Sequence, residues 1–107
     1  MNRFSIIDVR LDPTEGSEVN KTRPCIIVSP DEMNLNLDTV IIVPITSKKR
    51  NLPTRVKIKK SAGLDTDSYA MIDQIRTISK KRIITEKGRL SDKVGDEILL
   101  VISEMFS

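Results

Sequence analysis

Histidine and tryptophan are absent from this 107-residue chain, and cysteine occurs once, at Cys25. Without an imidazole, proton transfer near neutral pH loses its usual side chain. One thiol and no histidine leave only carboxylates to hold a metal, and none of them falls in calcium-loop spacing, so neither a metal nor another cofactor is expected. A single cysteine forms no internal disulfide, which suits a reducing cytoplasm. Aromatics are nearly missing too: Phe4, Tyr69 and Phe106 are all there are, so base stacking would be a minor source of affinity for nucleic acid. No apolar run approaches the length of a membrane span. The opening stretch, Met1 to Asp12, places Arg3, Asp8 and Arg10 in and around its apolar residues, which is neither a signal peptide nor an anchor.

What is present suits one compact domain over residues 1–107, without linker, repeat or low-complexity tract. The net charge is only +3, but it is unevenly distributed. Residues 1–47 hold four basic and seven acidic groups, residues 48–89 hold thirteen and four, and residues 90–107 hold one and four. A central block this positive suits an anionic partner such as nucleic acid, and equally a solvated basic face.

Phe4 to Leu11 reads as a strand, Pro13 to Lys21 as a loop, and Pro24 to Val28 as a strand buried on both faces with Thr39 to Val43 as its partner. Asp31 to Asp38 suggests one helical turn. Thr54 to Lys59 alternates, Val56 and Ile58 on one face, Arg55, Lys57 and Lys59 on the other, either as a cationic stripe or as protection for a sheet edge. Gly63 to Asp67 is turn material. Ser68 to Ile78 gives one or two strands around Asp73-Gln74, and Arg82 to Thr85 a further one before a turn at Lys87-Gly88. Ser91 caps a helix whose Val94, Ile98, Val101, Ile102, Met105 and Phe106 recur at helical spacing. Gly95 weakens that helix by about 1 kcal/mol against alanine, so the helix depends on packing its stripe against the strands. Short strands closed by one C-terminal helix predict a mainly β chain, a small barrel with minor α content.

Two polar tips stand out. Arg23 precedes Pro24, which fixes its own φ and biases Arg23 toward extended backbone, so the guanidinium is carried on a stiff strand entrance. Thr46 and Ser47 end the Val43-Pro44-Ile45 run, with Lys48-Lys49-Arg50 just beyond. A planar guanidinium and a hydroxyl at neighbouring strand ends are donors suited to a phosphate diester. The plainer reading pairs Arg23 with Glu18 or Asp12, lets Thr46 end its strand, and leaves the three cations as a solvated loop.

In order and spacing, the segments Leu11 to Glu18, Thr22-Arg23-Pro24, Val43 to Ser47, Gly63-Leu64 and Asp73 to Ile78 resemble the MazF/PemK (Kid) family of toxin endoribonucleases. The resemblance covers about residues 6–106. It implies an SH3-like barrel forming a homodimer that cleaves single-stranded RNA without a metal, leaving a 2′,3′-cyclic phosphate and a 5′-hydroxyl, and that a cognate MazE-like antitoxin silences. The family's catalytic arginine and threonine fall on Arg23 and Thr46. Ser17, Glu18, Lys21, Ser47, Lys48, Asp73 and Gln74 are the expected substrate contacts. Glu18 is also a candidate proton acceptor, or simply a brace for its loop, and Asp73 and Gln74 either hold a turn or read base edges.

The chain departs from the family pattern at several positions. Phe4 and Ser5 stand where the family has glycine and an acid, Ile7 occupies an aromatic position, and Val19 and Lys21 replace a glutamine and a glycine. Met71 stands where the Kid branch has a further arginine. The alternatives are a CcdB-type gyrase-poisoning toxin, disfavoured by the missing C-terminal tryptophan, and an inactive barrel that only binds RNA or protein.

Overall fold

The structure is a computed structural model that describes residues 1–11, 22–60 and 63–107. Its strands are β1 (Ser5–Arg10), β2 (Thr22–Ile27), β3 (Thr39–Thr46), β4 (Arg55–Ile58), β5 (Ser68–Met71), β6 (Arg76–Ser79) and β7 (Ile83–Arg89). A short helix α1 (Asp31–Asn36) joins β2 to β3, and α2 (Asp92–Met105) follows β7. Single 3₁₀ turns at Ile72–Gln74 and Lys80–Arg82 link β5 to β6 and β6 to β7. The loop read at Pro13 to Lys21 lies outside the described residues.

All strand pairs are antiparallel, in the order β4-β5-β3-β2-β1-β7, with β6 pairing β3 as well. Within β6-β3-β2-β1-β7 the two outer strands are consecutive in the chain, joined only by Lys80–Arg82. A sheet whose opposite edges are tied by so short a link has to curl. The result is the mainly β, barrel-like fold expected from the sequence, with its C-terminal helix, although the ladder does not close into a ring among the described residues. Among the described residues, no helix is long and apolar enough to cross a membrane.

Alternation along the strands divides the core in two. Ile6, Ile26, Val43 and Ile45 face one side and pack with Val56, Ile58 and Ile98, whereas Ile7, Cys25, Ile27 and Ile42 face the other and pack with Val9 and Ile78. This explains the continuous apolar run Cys25-Ile26-Ile27-Val28: both faces of β2 are buried. β3 runs three residues past its expected end, through Pro44. Its pairing with β6 ends at Ile42 and its pairing with β5 starts at Ile45, so on that side Pro44 falls between two neighbours, while on the other side it pairs with Cys25 of β2.

Lys87-Gly88 is not a turn. Both residues lie inside β7, where Gly88 pairs with Ile6 and Glu86 with Ile7, leaving Lys87 as an extra residue in a bulge. The cationic stripe on β4 also needs correction. Lys57 and Lys59 are exposed, but the Arg55 side chain is only 7% exposed and ion-paired to Asp73. At the C-terminus, Ile98 is fully buried and Met105 packs against the core, but Phe106 is 73% exposed. The helix ends at Met105, and Phe106 leaves helical geometry with ψ 11°, so the periodic stripe loses its phase there.

Ser91 caps α2 as expected, its Oγ accepting from the Val94 N–H at 3.3 Å. The reason for Gly95 lies in Phe4, whose backbone is left-handed at φ 75° and whose ring lies across the helix. A Cβ on Gly95 would stand 2.3 Å from that ring. Gly95→Ala should therefore lower stability by about 1–2 kcal/mol, because overpacking outruns the gain in helix propensity. Denaturant titration in a Phe4→Ala background should reverse the sign; a stabilised single variant would refute the packing argument.

Candidate active site

β2 and β3 pair through Cys25–Pro44, Ile26–Val43 and Ile27–Ile42. Carrying that register two residues further sets Arg23 opposite Thr46, on the face that Cys25 and Pro44 share. Both residues line one cavity of ≈ 380 Å³. Ser47 and Lys48 lie on its β3 side, and Leu64, Asp65, Thr66 and Lys87 form the opposite wall. Arg23 also lines a second cavity of ≈ 280 Å³ with Pro44, Met71, Gln74 and Arg76. Arg23 thus borders two recesses.

The Lys48 backbone N–H donates to Thr46 Oγ1 at 3.2 Å. A hydroxyl that already accepts there keeps its own proton available for an anion in the cavity. Cys25 lies beneath the site, fully buried, with its thiol directed to the Arg23 carbonyl at 3.6 Å. Burial raises its pKa to about 12, against the opposing pull of the Arg23 and Arg76 charges. It is therefore a neutral, unreactive core residue at working pH, as the sequence suggested.

Asp73 is already engaged. Its carboxylate accepts from Arg55 Nε at 3.1 Å, from Arg55 Nη2 at 3.4 Å and from Thr54 Oγ1 at 3.0 Å. Burial tends to raise its pKa, but the hydrogen bonds from Arg55, Thr54 and its own backbone, with the Arg55 charge, hold it below the ordinary carboxylate value. It fixes the turn that carries Gln74 to the second cavity. A depressed folded-state pKa contributes stability above the unfolded value and loses it as pH falls through the lowered one. Urea titrations from about pH 5 to about pH 2 should therefore show a steeper loss for the parent than for Asp73→Asn. Equal slopes would remove Asp73 from the acid transition.

Of the expected contacts, Arg23, Thr46, Ser47 and Lys48 share the first cavity and Gln74 lines the second. Asp73 supports from behind, and Ser17, Glu18 and Lys21 lie outside the described residues. Two residues escaped the sequence reading. Arg76 lines the cavity beside Gln74. Lys87, assigned to a turn, lines the first cavity from the bulge in β7, with its Nζ 3.9 Å from Asp8 Oδ1. A Lys-Gly pair suits a turn and a bulge alike, so the residues themselves held no signal that chose between them.

Known proteins share this arrangement of elements. The family model described as "PemK-like, MazF-like toxin of type II toxin-antitoxin system" matches residues 2–106. An endoribonuclease MazF from Staphylococcus saprophyticus is 39% identical over 101 residues, covering 92% of this chain and 84% of the relative. Among solved structures, the Mycobacterium tuberculosis toxin MazF-mt6 superposes with TM-score 0.82 at 25% identity, covering 95% of each chain. A mycobacterial endoribonuclease in complex with its cognate antitoxin gives 0.81 at 23% identity, covering 99% of this chain and 94% of that one; at that identity the likeness concerns the fold.

Proposed function

The chain belongs to the PemK-like, MazF-like toxins of type II toxin–antitoxin systems, and on that premise we propose that Arg23 and Thr46 are the catalytic pair of a metal-independent endoribonuclease. The protein is an RNA-cleaving toxin neutralised by a cognate MazE-like antitoxin. Its substrate is single-stranded RNA, it works as a homodimer, and it acts in the cytoplasm. The observation that carries the reading is that a guanidinium and a hydroxyl from two paired strands line one cavity.

In the reaction, the ribose 2′-oxygen attacks the adjacent phosphorus and loses its proton, the bond to the 5′-oxygen breaks, and that oxygen takes up a proton. The products are a 2′,3′-cyclic phosphate and a 5′-hydroxyl. The phosphorane between them concentrates negative charge on its non-bridging oxygens, and fixed donors aimed there lower the barrier. Arg23 holds two of those oxygens with its planar fork while Thr46 donates to one of them. Ser47, Lys48 and Lys87 contact the neighbouring backbone, and Gln74 meets a base edge in the adjoining recess. Lacking aromatic platforms, the complex depends on phosphate contacts and weakens with salt.

Incubation with a mixed RNA in excess EDTA, followed by mapping of the ends, tests the reading. Cuts at a recurrent short sequence with cyclic phosphate ends are expected. Intact RNA with blocked DNA gyrase would favour the CcdB-type alternative, and intact RNA with normal gyrase an inactive binding barrel.

A further inference from the structure

Two adjacent rows of residues run across β3, β5 and β4. In the first, Ile45 pairs with Ala70 and Ala70 with Val56, and all three pack into the core. In the second, Thr46 pairs with Tyr69 and Tyr69 with Lys57. Successive side chains along a strand point to opposite faces, so this second row stands on the face turned away from that core. Arg23, opposite Thr46 by the β2–β3 register, extends the row onto a fourth strand. Met71 lies two residues along β5 from Tyr69, on the same face, and lines the recess beside Gln74. The half-buried Tyr69 is therefore next to Thr46 across the strands and next to the Gln74 recess along its own strand. It is also the one ring on this face. Phe4 is buried in the core, and Phe106 follows the end of α2.

We propose that Tyr69 is a further substrate-binding residue: its ring carries the base of a nucleotide flanking the scissile phosphate, and Lys57 beyond it meets the next phosphate. The proposal rests on Arg23 and Thr46 being the catalytic pair. Neighbouring strands lie about 5 Å apart, so a phosphate held at Thr46 is one such step from the strand of Tyr69 and about 10 Å from that of Lys57. A nucleotide joined to that phosphate covers those steps. Every base has a π-face, so a ring beside the cleavage point seats the flanking nucleotide whatever its base. Lys57 is exposed, and its pairing with Asp67 at 3.8 Å, between two half-exposed side chains, is weak enough for a phosphate to replace. The plainer role for Tyr69 is packing between Thr46 and Lys57, as large residues do on paired strands. One ring is not the series of platforms that other single-strand binders use, so binding keeps its dependence on phosphate contacts and salt.

Binding and single-turnover cleavage by the full chain test the proposal, on an oligonucleotide carrying the mapped cleavage sequence and on versions with an abasic nucleotide on either side of the scissile phosphate. For binding, 2′-deoxyribose at the scissile position prevents cleavage. Tyr69→Phe should bind as the parent does, and Tyr69→Val about tenfold more weakly. At one flanking position the abasic nucleotide should weaken parental binding by a similar factor and leave Tyr69→Val no worse than before. A tyrosine that only packs gives a different pattern, in which the Tyr69→Val loss persists on both abasic substrates. That pattern would overturn the proposal, as would parental binding by Tyr69→Val. If the valine variant unfolds, Tyr69→Leu carries the same expectation. Arg23→Ala on the unmodified oligonucleotide checks the premise separately. Parental cleavage by that variant would remove the catalytic pair, whereas additive losses from Tyr69→Val and both abasic positions would remove the role of Tyr69 alone.

Discussion

Arg23→Ala is expected to yield a folded protein that cleaves RNA about a hundredfold or more slowly, a barrier rise of about 3–4 kcal/mol. The size follows from where charge develops. In a chain without histidine, the extra negative charge of the phosphorane has to meet groups that are charged or polarised beforehand, and Arg23 is the cation shared by both recesses beside Thr46. Stability should be spared, because the side chain is half-buried at a cavity mouth and the core beneath it is formed by Cys25 and Ile27. Arg23→Lys should recover only part of the rate, since an ammonium places one point charge where the guanidinium places a fork. Binding of a non-cleavable RNA carrying 2′-deoxyribose at the scissile position separates the two roles. A large fall in single-turnover rate with a modest change in affinity is expected. A folded, dimeric Arg23→Ala cutting at the parental rate would remove the guanidinium from the mechanism.

Some of this site was legible in the residues because local rules act on it directly. The position of Arg23 before Pro24 marks a strand entrance, and two strands buried on both faces have few ways to pair, so Arg23 and Thr46 meet once the register is set. Other features depend on the fold as a whole. Nothing local in Lys87-Gly88 distinguishes a turn from a bulge; the choice is made by β1, which pairs with Gly88 and Glu86 and leaves Lys87 out. Nor could Asp73 be assigned from its neighbours in sequence, because its partners Thr54 and Arg55 arrive from β4 and the turn before it. Phe106 looked like core by periodicity and is exposed because the helix stops one residue earlier. Gly95 was read as a weakness in α2, and Phe4 as a departure from the family's glycine. In three dimensions they form one contact, the ring occupying the space that the missing Cβ leaves.

The second large effect is expected at Gly63, through the wall that faces Arg23. Gly63 has φ +91°, and a Cβ built on it would lie 2.4 Å from the Lys87 carbonyl oxygen and 2.9 Å from its carbonyl carbon. Alanine there carries two penalties that do not relieve each other. The left-handed backbone is strained for any residue with a side chain, and the obstacle is the backbone of β7, which cannot rotate away as a side-chain tip would. Gly63→Ala should cost about 2–4 kcal/mol of folding stability, read by urea unfolding. It should also disturb cleavage at protein concentrations and temperatures where the fold survives. Leu64, Asp65 and Thr66 follow Gly63 directly, and Lys87 is the residue the new methyl would push, so one substitution displaces both halves of the far wall. Lys87→Ala separates the causes: it removes the ammonium but leaves the carbonyl that the methyl strikes. In that background Gly63→Ala should still cost its full stability, whereas its further effect on RNA cleavage should shrink. A Gly63→Ala protein with parental stability would mean that the 63–66 segment and the β7 bulge are not held against each other, and the cavity would then lack the fixed wall opposite its catalytic pair.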